Sequence, residues 1–540
     1  MPDQHPPPAT FPDGLLAAGA RYERALAEDD LAALDDLFAA GPATLRGEGG
    51  TALAGHAEIS AFRAARGGAP PRRVLRVHVR PLGPHDAVTV TETERLDGGT
   101  GLQTQVWHRD GGTWRVAVAH VSGAPASAAP DATPAPADGT ATWRVAPRAD
   151  GPLVPATGAG PLTGVRTAVK DLVAIAGQRI GAGVPGWLAQ APVETTTAPA
   201  LLALLGAGAE VAGIAQTDEL AFSLLGANAH HGTPPNAAAP GRTTGGSTSG
   251  PAAAVAAGSA DLALGTDTAG SLRVPGSFCG LYAWRPSHGA VDGTGVLPLA
   301  PSFDTVGLLA RDPAVLHAAA AVLLPATGGR ASTDRHRSGR PTALLRSATL
   351  TALAETPTAL AVDAALAALA VRTGLPVLDV GDDVAPADVA AWTAAFRTVQ
   401  AAEAWAAHGG FVTAHPGALS PAVEARFRAG EDLDAAAVTG ARTVLRGVRQ
   451  RLEALLERGW LCLPSTAAPA PPADASPAEQ DRTRAATLAL TSLASAAGVP
   501  ALGLPWGRVG RLPVGLCVLA PRGADAALLG LLAEPGPPAG

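Results

Sequence analysis

The sequence predicts an α/β fold for most of the chain, preceded by a smaller α+β domain. Two observations predict this arrangement. Between residues 245 and 286, a short apolar segment of strand length lies between two small-residue loops that are suited to open helices. Between residues 13 and 122, apolar residues at helical spacing come first, and alternating strand patterns follow.

The front region begins with helices. Apolar side chains recur at roughly helical spacing between Leu15 and Phe38, and a second short helix is expected over 56–65. Four strand patterns follow, over 75–80, 88–93, 102–108 and 114–121. Helices followed by a curled antiparallel sheet favour a cone-shaped, NTF2-like fold.

An Ala- and Pro-rich segment separates the two regions. Residues 123–142 offer few apolar side chains to a core, so we expect an extended, semi-rigid linker. The predicted domains are therefore an NTF2-like α+β domain over 13–122 and an α/β domain over 143–540. Helical periodicity over 390–407 and 436–459 predicts helices that flank a mixed sheet in the second domain.

The first small-residue loop of the α/β domain is suited to open a helix. Gly245 and Gly246 permit backbone angles that are closed to other residues. The hydroxyl groups of residues 247–249 are suited to cap a helix over 252–257, which Pro251 is suited to begin.

The second loop presents a candidate nucleophile. Residues 261–265 form a short buried strand, and the turn over 266–270 brings Ser271 to the start of another helix. A serine hydroxyl beside free backbone N–H groups suits acyl transfer, because the tetrahedral intermediate carries an oxyanion that must be stabilised. Ser271 is therefore the predicted nucleophile, and Asp267 and Arg273 are expected to brace its loop.

The motifs GGSTSG and GTDTAGSLRVPGSFCG, which contain these loops, resemble the signature of the amidase signature family of serine hydrolases. The family's triad has two serines at a fixed spacing, which Ser247 and Ser271 match at 24 positions apart. Upstream, the segment GVRTAVKD resembles the family's lysine strand and contains Lys170. The resemblance implies an α/β/α fold around a mixed sheet and a catalytic triad of Lys170, Ser247 and Ser271.

The implied mechanism is a proton relay. A neutral Lys170 takes a proton from Ser247, which takes one from Ser271 as Ser271 attacks the amide carbonyl. Because the pKa of free lysine is about 10.4, burial must lower the pKa of Lys170 to about 7 to 8. Val169, Leu172 and Val173 are candidates for this apolar environment.

Backbone groups around the serines complete the predicted site. The predicted oxyanion hole consists of the N–H groups of Thr268, Ala269 and Gly270, together with that of Ser271. The family mostly has glycine where this chain has Ala269. The residues assigned to substrate binding are Gly245, Gly246 and Thr248.

The front region carries a second resemblance. Its order of elements and its ending, WHRDGGTWRVAVAHVS, are similar to the NTF2-like small protein that accompanies 1-carboxybiuret hydrolase, an amidase signature enzyme of s-triazine breakdown. This similarity favours small nitrogen-rich amides, such as carboxybiuret or other urea derivatives, while an aryl-acetamide stays open. We expect a homodimer that forms through this domain.

Composition excludes several classes of partner. The 540 residues include 40 Lys and Arg against 47 Asp and Glu, without a basic block, so no nucleic-acid partner is expected. No long apolar run and no secretory leader are found, which predicts a cytoplasmic protein that does not enter a membrane. The three cysteines lack metal-ligand spacing, and no metal or organic cofactor is implied.

The predicted function is hydrolysis of a small carboxamide or urea-type substrate to a carboxylate and ammonia, through an acyl-serine intermediate. Two alternatives stay open: the glutaminase subunit of a tRNA-dependent amidotransferase, and a catalytically silent ligand-binding scaffold. A phosphate-binding loop is disfavoured, because no G-K-[ST] follows the glycines of the first loop. A Ser-His-Asp hydrolase is also disfavoured, because the G-x-S-x-G pattern fails at Ser247.

Overall fold

The computed structural model describes residues 12–48, 51–66, 72–95, 100–122, 139–324 and 341–533. The chain divides into two compact units, Met1–Ala132 and Thr133–Gly540. Most of the expected linker, residues 123–138, lies outside the described residues, so the limits of the two domains stay a prediction.

The first unit is a small α+β structure. Its described helices are α1 (Leu15–Ala27), α2 (Leu31–Asp36) and α3 (His56–Arg66). Its described strands are β1 (Leu45–Glu48), β2 (Thr51–Ala54), β3 (Arg72–Pro81), β4 (Asp86–Arg95), β5 (Thr100–Asp110) and β6 (Thr113–Ser122). These strands form one sheet in the order β2-β1-β6-β5-β4-β3, and Tyr22, Phe38 and Trp107 lie in the core beside it.

The antiparallel pairing expected for this unit is confirmed for its four long strands, but the sheet also contains a parallel pair. The helices and four long strands agree with the sequence, but β1 and β2 were not expected, and β1 runs parallel to β6. Each of these two strands has four residues, which is too short for a clear alternation of apolar and polar side chains.

The second unit is built on a long mixed sheet. Its strands are β7 (Trp143–Val145), β8 (Arg166–Lys170), β9 (Glu210–Ala215), β10 (Leu262–Thr266), β11 (Tyr282–Arg285), β12 (Val306–Ala310), β13 (Leu344–Arg346), β14 (Val377–Asp379), β15 (Trp460–Pro464), β16 (Ala501–Val509) and β17 (Leu512–Leu519). Among the described residues the order is β14-β13-β15-β17-β16-β11-β12-β10-β8-β9-β7. β8 lies parallel to both β9 and β10, whereas β12 is antiparallel to β10.

Helices cover both faces of this sheet. The described helices of this unit are α4 (Pro185–Gln190), α5 (Pro199–Gly206), α6 (Ser249–Ala256), α7 (Arg273–Cys279), α8 (Pro313–Leu323), α9 (Ala348–Thr351), α10 (Thr356–Thr373), α11 (Pro386–Ala414), α12 (Pro421–Arg428), α13 (Ala435–Leu456), α14 (Pro477–Ala497) and α15 (Asp525–Leu529). Successive strand residues face opposite sides, so Val169 packs in the cluster that contains α5 and α8, and Ala168 packs with α6 and α7. This layering confirms the α/β/α fold.

The start of α6 differs from the expectation. The helix begins at Ser249 rather than at Pro251, and no side chain caps its first turn. The hydroxyl groups that were expected to cap it are engaged elsewhere, because Ser247 is hydrogen-bonded to Ser271 and Ser249 to Asp218. None of the helices described here is both long and apolar enough to cross a membrane.

Candidate active site

Strand β8 carries Lys170 at its carboxyl end. Alternate strand residues share a face, so Lys170 lies on the same side as Ala168, toward α6. The lysine is completely buried. Its Nζ donates hydrogen bonds to Thr266 Oγ1 at 2.8 Å and to Ser247 Oγ at 2.9 Å. Because β8 pairs with β10, the lysine lies beside Thr266 at the end of β10, and it also reaches Ser247 in the loop before α6.

The loop before α6 holds Ser247 by its backbone. The Ser247 carbonyl accepts hydrogen bonds from Thr217 Oγ1 at 2.8 Å and from the Asp218 backbone N–H at 3.3 Å. The Gly246–Ser247 peptide bond is cis. These contacts leave the Ser247 hydroxyl free to face Lys170.

Asp267 organises the turn that carries Ser271. Its carboxylate accepts hydrogen bonds from the backbone N–H groups of Gly270 at 2.9 Å and Leu272 at 3.2 Å, and contacts the guanidinium groups of Arg273 and Arg285. Burial by itself would raise the pKa of Asp267, but the two arginines hold it well below its usual range. Asp267 and Arg273 therefore brace the loop, as the sequence predicts.

The three residues of the predicted triad form one hydrogen-bonded chain. Ser247 Oγ lies 3.0 Å from Ser271 Oγ and 2.9 Å from Lys170 Nζ. All three side chains are buried, and Ser271 is only 2% exposed. A hydroxyl group both donates and accepts hydrogen bonds, so this chain can pass a proton from Ser271 to an uncharged lysine.

The lysine is poised to be uncharged near neutral pH. Burial lowers the pKa of Lys170 to about 7, against the influence of Asp218, Asp267 and Asp304, which raise it. Burial also raises the pKa of Asp218 and of Asp304, which disfavours their negative charge. Desolvation therefore decides the state of the amine.

The turn before Ser271 offers fewer free N–H groups than expected. The Gly270 N–H is directed at Asp267. Within the described part of the chain, no group accepts from the N–H groups of Thr268, Ala269 or Ser271. Gly270 has φ +121°, and a Cβ there would lie 2.9 Å from the Thr491 side chain. Gly270 is thus required for the backbone path, and the other three N–H groups are available to an oxyanion.

The residues assigned to substrate binding are occupied by packing. A Cβ on Gly246 would lie 2.1 Å from Asp218 Oδ2, and one on Gly245 would lie 3.0 Å from the Pro275 nitrogen. Thr248 is buried and donates to the Thr266 carbonyl. None of the three residues lines the slot at Ser271 or either of the two cavities that adjoin it. The structure therefore gives no support to substrate contact by Gly245, Gly246 or Thr248.

Ser271 opens into a narrow slot between two cavities. Thr268, Ala269 and Ser271 line the slot. A cavity of about 260 Å³, which shares Ala221, Thr268 and Leu299 with the slot, lies on one side. Within the ranges that the structure describes, no group of three His, Cys, Asp or Glu side chains is arranged to hold a metal ion.

Two residues of the site were not identified from the sequence. Asp218 lies against Gly246 and influences the charge of Lys170, and the Thr266 hydroxyl accepts from Lys170 directly. The available signal for Asp218 was the pair of acidic residues in TDELAF, directly before an apolar stretch. Thr266 ends a buried strand, and only the pairing of β10 with β8 places it beside the lysine.

Two family models and a curated relative match the chain. A family model described as Amidase matches residues 140–377, and one described as AtzH-like matches residues 13–126. Amidase 1 of Arabidopsis thaliana is 33% identical over 400 residues, covering 69% of this chain and 92% of that protein.

Solved structures also resemble the chain, and two of them are described here. One is the inhibitor-bound form of a vestigial protein complex that reveals the evolutionary origins of an s-triazine catabolic enzyme. It aligns with a TM-score of 0.61 and 28% identity, covering 69% of this chain and 84% of that one. The other, a serine-to-alanine variant of the allophanate hydrolase of Kluyveromyces lactis, aligns with a TM-score of 0.62 and 26% identity, covering 69% and 61%.

The family model, the length of the Arabidopsis match and the two structural alignments agree with the signature motifs and with the α/β/α fold. The resemblance of the front region is confirmed by the AtzH-like match. The chain therefore belongs to the amidase signature family, hydrolases that act on amide C–N bonds, and it carries an AtzH-like domain in front.

Proposed function

We propose that the chain hydrolyses a small carboxamide or urea-type substrate through an acyl-serine intermediate on Ser271. The observation that carries the proposal is the continuous buried hydrogen-bonded chain from Lys170 through Ser247 to Ser271. A nucleophile, a bridging hydroxyl and a base in mutual hydrogen-bond contact are what covalent acyl transfer requires.

The first half of the reaction forms the acyl-enzyme. Ser271 Oγ attacks the carbonyl carbon and gives its proton to Ser247, while Ser247 gives its own proton to Lys170 Nζ. Thr266 Oγ1 accepts one N–H of the amine, which favours an orientation of the lone pair toward Ser247. The oxyanion that forms is met by the N–H groups of Thr268, Ala269 and Ser271.

The second half releases both products. The tetrahedral intermediate expels ammonia or an amine, which takes up the proton stored on Lys170 through Ser247. Water then attacks the acyl-serine, its proton follows the same path to Lys170, and collapse of the second intermediate regenerates Ser271 and frees the carboxylate. The proton that Ser271 loses in the first half thus leaves with the amine, and the attacking water supplies the proton that restores the Ser271 hydroxyl.

A small substrate fits the space at Ser271. The adjoining cavity of about 260 Å³ is slightly smaller than the roughly 300–1,000 Å³ that is usual for small-molecule sites. One structural relative concerns an s-triazine catabolic enzyme and another is an allophanate hydrolase, which supports a nitrogen-rich amide or urea derivative. Carboxybiuret stays one candidate among these.

Ammonia release by the purified chain tests the proposal. A panel of amides and ureas is expected to include a substrate, and no partner protein is needed for turnover. A glutaminase subunit would require its partner, and a silent scaffold would release no ammonia and would not react with a fluorophosphonate. The proposed function would be refuted if turnover required a partner protein, or if the chain neither released ammonia nor reacted with a fluorophosphonate.

Variants of the triad test the assignment of roles. Ser271→Ala is expected to abolish both ammonia release and fluorophosphonate labelling. Ser247→Ala and Lys170→Ala are expected to lower kcat/KM by at least about a thousandfold, because they interrupt the proton path. Ser259→Ala, whose hydroxyl donates only to the Ala254 carbonyl, is the matched control and is expected to retain activity. Full activity in Ser271→Ala would refute the mechanism.

We also propose that the protein is a homodimer that assembles through its AtzH-like domain. The support is that the structural relative with 28% identity is described as a protein complex and that the front region matches the AtzH-like family model.

A further inference from the structure

A second cavity adjoins the slot at Ser271. Phe222, Gln400 and Arg484 line both the slot and a cavity of about 210 Å³. The two spaces therefore share a wall. A molecule whose carbonyl group lies at Ser271 can extend along this wall into the second cavity.

Three arginines from three different helices meet at this second cavity. Arg397 belongs to α11, Arg426 to α12 and Arg484 to α14. Arg397 is exposed, whereas Arg426 and Arg484 are half-buried. The uncharged polar groups of the lining, Thr398 and Gln400, bring no negative charge. The cavity is therefore strongly basic.

The positive charge at this cavity is not balanced by an ion pair. In the described ranges, no carboxylate lies within ion-pair distance of Arg397, Arg426 or Arg484. Arg426 Nη1 donates to the Phe222 carbonyl at 2.8 Å. The Nε of Arg484 is buried, and no described group accepts from it. These guanidinium groups therefore retain free donors.

Other arginines of the chain are paired with carboxylate groups. Arg273 is paired with Asp267 at 2.8 Å, Arg166 with Asp261 at 2.9 Å, and Arg346 with Asp363 at 2.7 Å. A buried or half-buried guanidinium group is ordinarily paired, because desolvation of an unpaired charge is unfavourable. The cluster at the second cavity departs from that pattern beside the reactive serine.

The electrostatics of the cluster favour an anion. Burial, followed by repulsion from Arg426 and Arg397, lowers the pKa of Arg484 to about 9. Asp481 raises the pKa of Arg484, but it is exposed and forms no ion pair with the described arginines. Burial also lowers the pKa of Arg426, against Asp481, Asp218 and Glu219, which raise it without forming an ion pair with it among the described residues. A bound anion would relieve the repulsion between the guanidinium groups and supply their missing acceptors.

We propose that Arg397, Arg426 and Arg484 form an anion-binding subsite that selects amide substrates bearing a carboxylate group. A guanidinium group binds a carboxylate through parallel charge-assisted hydrogen bonds, which an ammonium or a neutral donor does not reproduce. The subsite rests on the proposed function, since it takes Ser271 as the residue that attacks the amide. It narrows the substrate class from small amides to anionic ones.

A pair of matched substrates tests this selectivity. Succinamate carries an amide and a carboxylate, and 4-methylpentanamide has an isopropyl group in place of the carboxylate. The native protein is expected to show a kcat/KM at least about tenfold higher for succinamate, the effect of one charge-assisted hydrogen bond. Equal kcat/KM values, or a preference for the neutral amide, would overturn the subsite.

Substitutions assign the selectivity to the cluster. Arg484→Gln and Arg397→Gln are each expected to lower the ratio of the two kcat/KM values by about tenfold to a hundredfold, and Arg484→Lys to restore part of it. Arg397 is exposed, so its replacement does not endanger folding. Arg482→Gln removes the same charge from the exposed side of α14 and is the control, with an unchanged ratio. An unchanged ratio in both cluster variants would refute the proposal.

A binding measurement separates this proposal from the proposed function. Calorimetric titration of Ser271→Ala with succinamate is expected to show binding that Arg484→Gln in the same background weakens at least about tenfold. If the native protein hydrolyses no amide while this binding is seen, the function fails and the subsite stands. If amides are hydrolysed while the titration shows no dependence on Arg484, the subsite fails and the function stands.

Discussion

The pH dependence of hydrolysis provides the sharpest test of Lys170 as the base. The fall in its pKa from an ordinary value of 10.5 to about 7 corresponds to roughly 5 kcal/mol that disfavours the ammonium form. Since the pKa is lowered, the neutral base is present above about pH 7 and is lost as the pH falls. The neutral fraction is about one tenth at pH 6 and about nine tenths at pH 8. We therefore expect kcat/KM to rise about tenfold between these values.

The variant Thr266→Val tests whether Lys170 causes the fall in kcat/KM toward acid pH, which is called the acid limb below. The Thr266 hydroxyl accepts from Lys170 Nζ, which stabilises the charged amine more than the neutral one. Its removal is expected to lower the pKa of Lys170 further and to move the acid limb toward lower pH by about one pH unit. Thr439→Val, which makes the same change on the exposed side of α13, is the control.

Two readouts follow the same proton. Initial rates of ammonia release at low substrate concentration give kcat/KM from pH 5.5 to 9.5, and the rate of fluorophosphonate labelling reports the nucleophilicity of Ser271 without turnover. Both are expected to show the limb near pH 7. The reasoning would be refuted by profiles that stay flat between pH 6 and 8, or by a limb that moves to higher pH in Thr266→Val.

The remaining predictions concern stability and assembly. Asp267→Asn leaves Arg273 and Arg285 buried without their counter-charge, so the free energy of unfolding in urea is expected to fall by about 3 to 5 kcal/mol. Asp388→Asn breaks the surface pair with Arg451 but keeps an amide oxygen that can accept from the Ala385 backbone N–H, so it is expected to lower the free energy of unfolding by no more than about 1 kcal/mol. Equal losses would contradict the assignment of Asp267. Light scattering of the purified protein is expected to give the mass of a dimer, and the mass of one chain would refute the proposed homodimer.

Sequence reasoning was most successful where a function depends on short segments of the chain. The spacing of Ser247 and Ser271, and the strand that carries Lys170, identify three side chains that the structure joins by hydrogen bonds. Each of these residues belongs to a local pattern of strand, turn and helix. The expectation of a capped α6 failed because the hydroxyl groups were needed for the site, and side-chain use of this kind is not visible in propensity.

The sequence patterns did not predict contacts between residues of different strands. Asp218 and Thr266 approach Lys170 only because β9 and β10 pair with β8 on either side. The Gly270 N–H was expected among the oxyanion donors, whereas the structure directs it at Asp267. A sequence pattern describes which groups a turn contains, but their hydrogen-bond partners depend on the packing of the whole domain.

The order of residues along the chain by itself determined the family, the α/β/α architecture and the chemical types of nucleophile, bridge and base. Folding in three dimensions decided the protonation of Lys170, because its pKa depends on burial that no short segment can specify. It also brought Arg397, Arg426 and Arg484 to one cavity beside Ser271. Helix packing sets that convergence, since side chains separated by dozens of residues meet here because α12 and α14 both pack against α11.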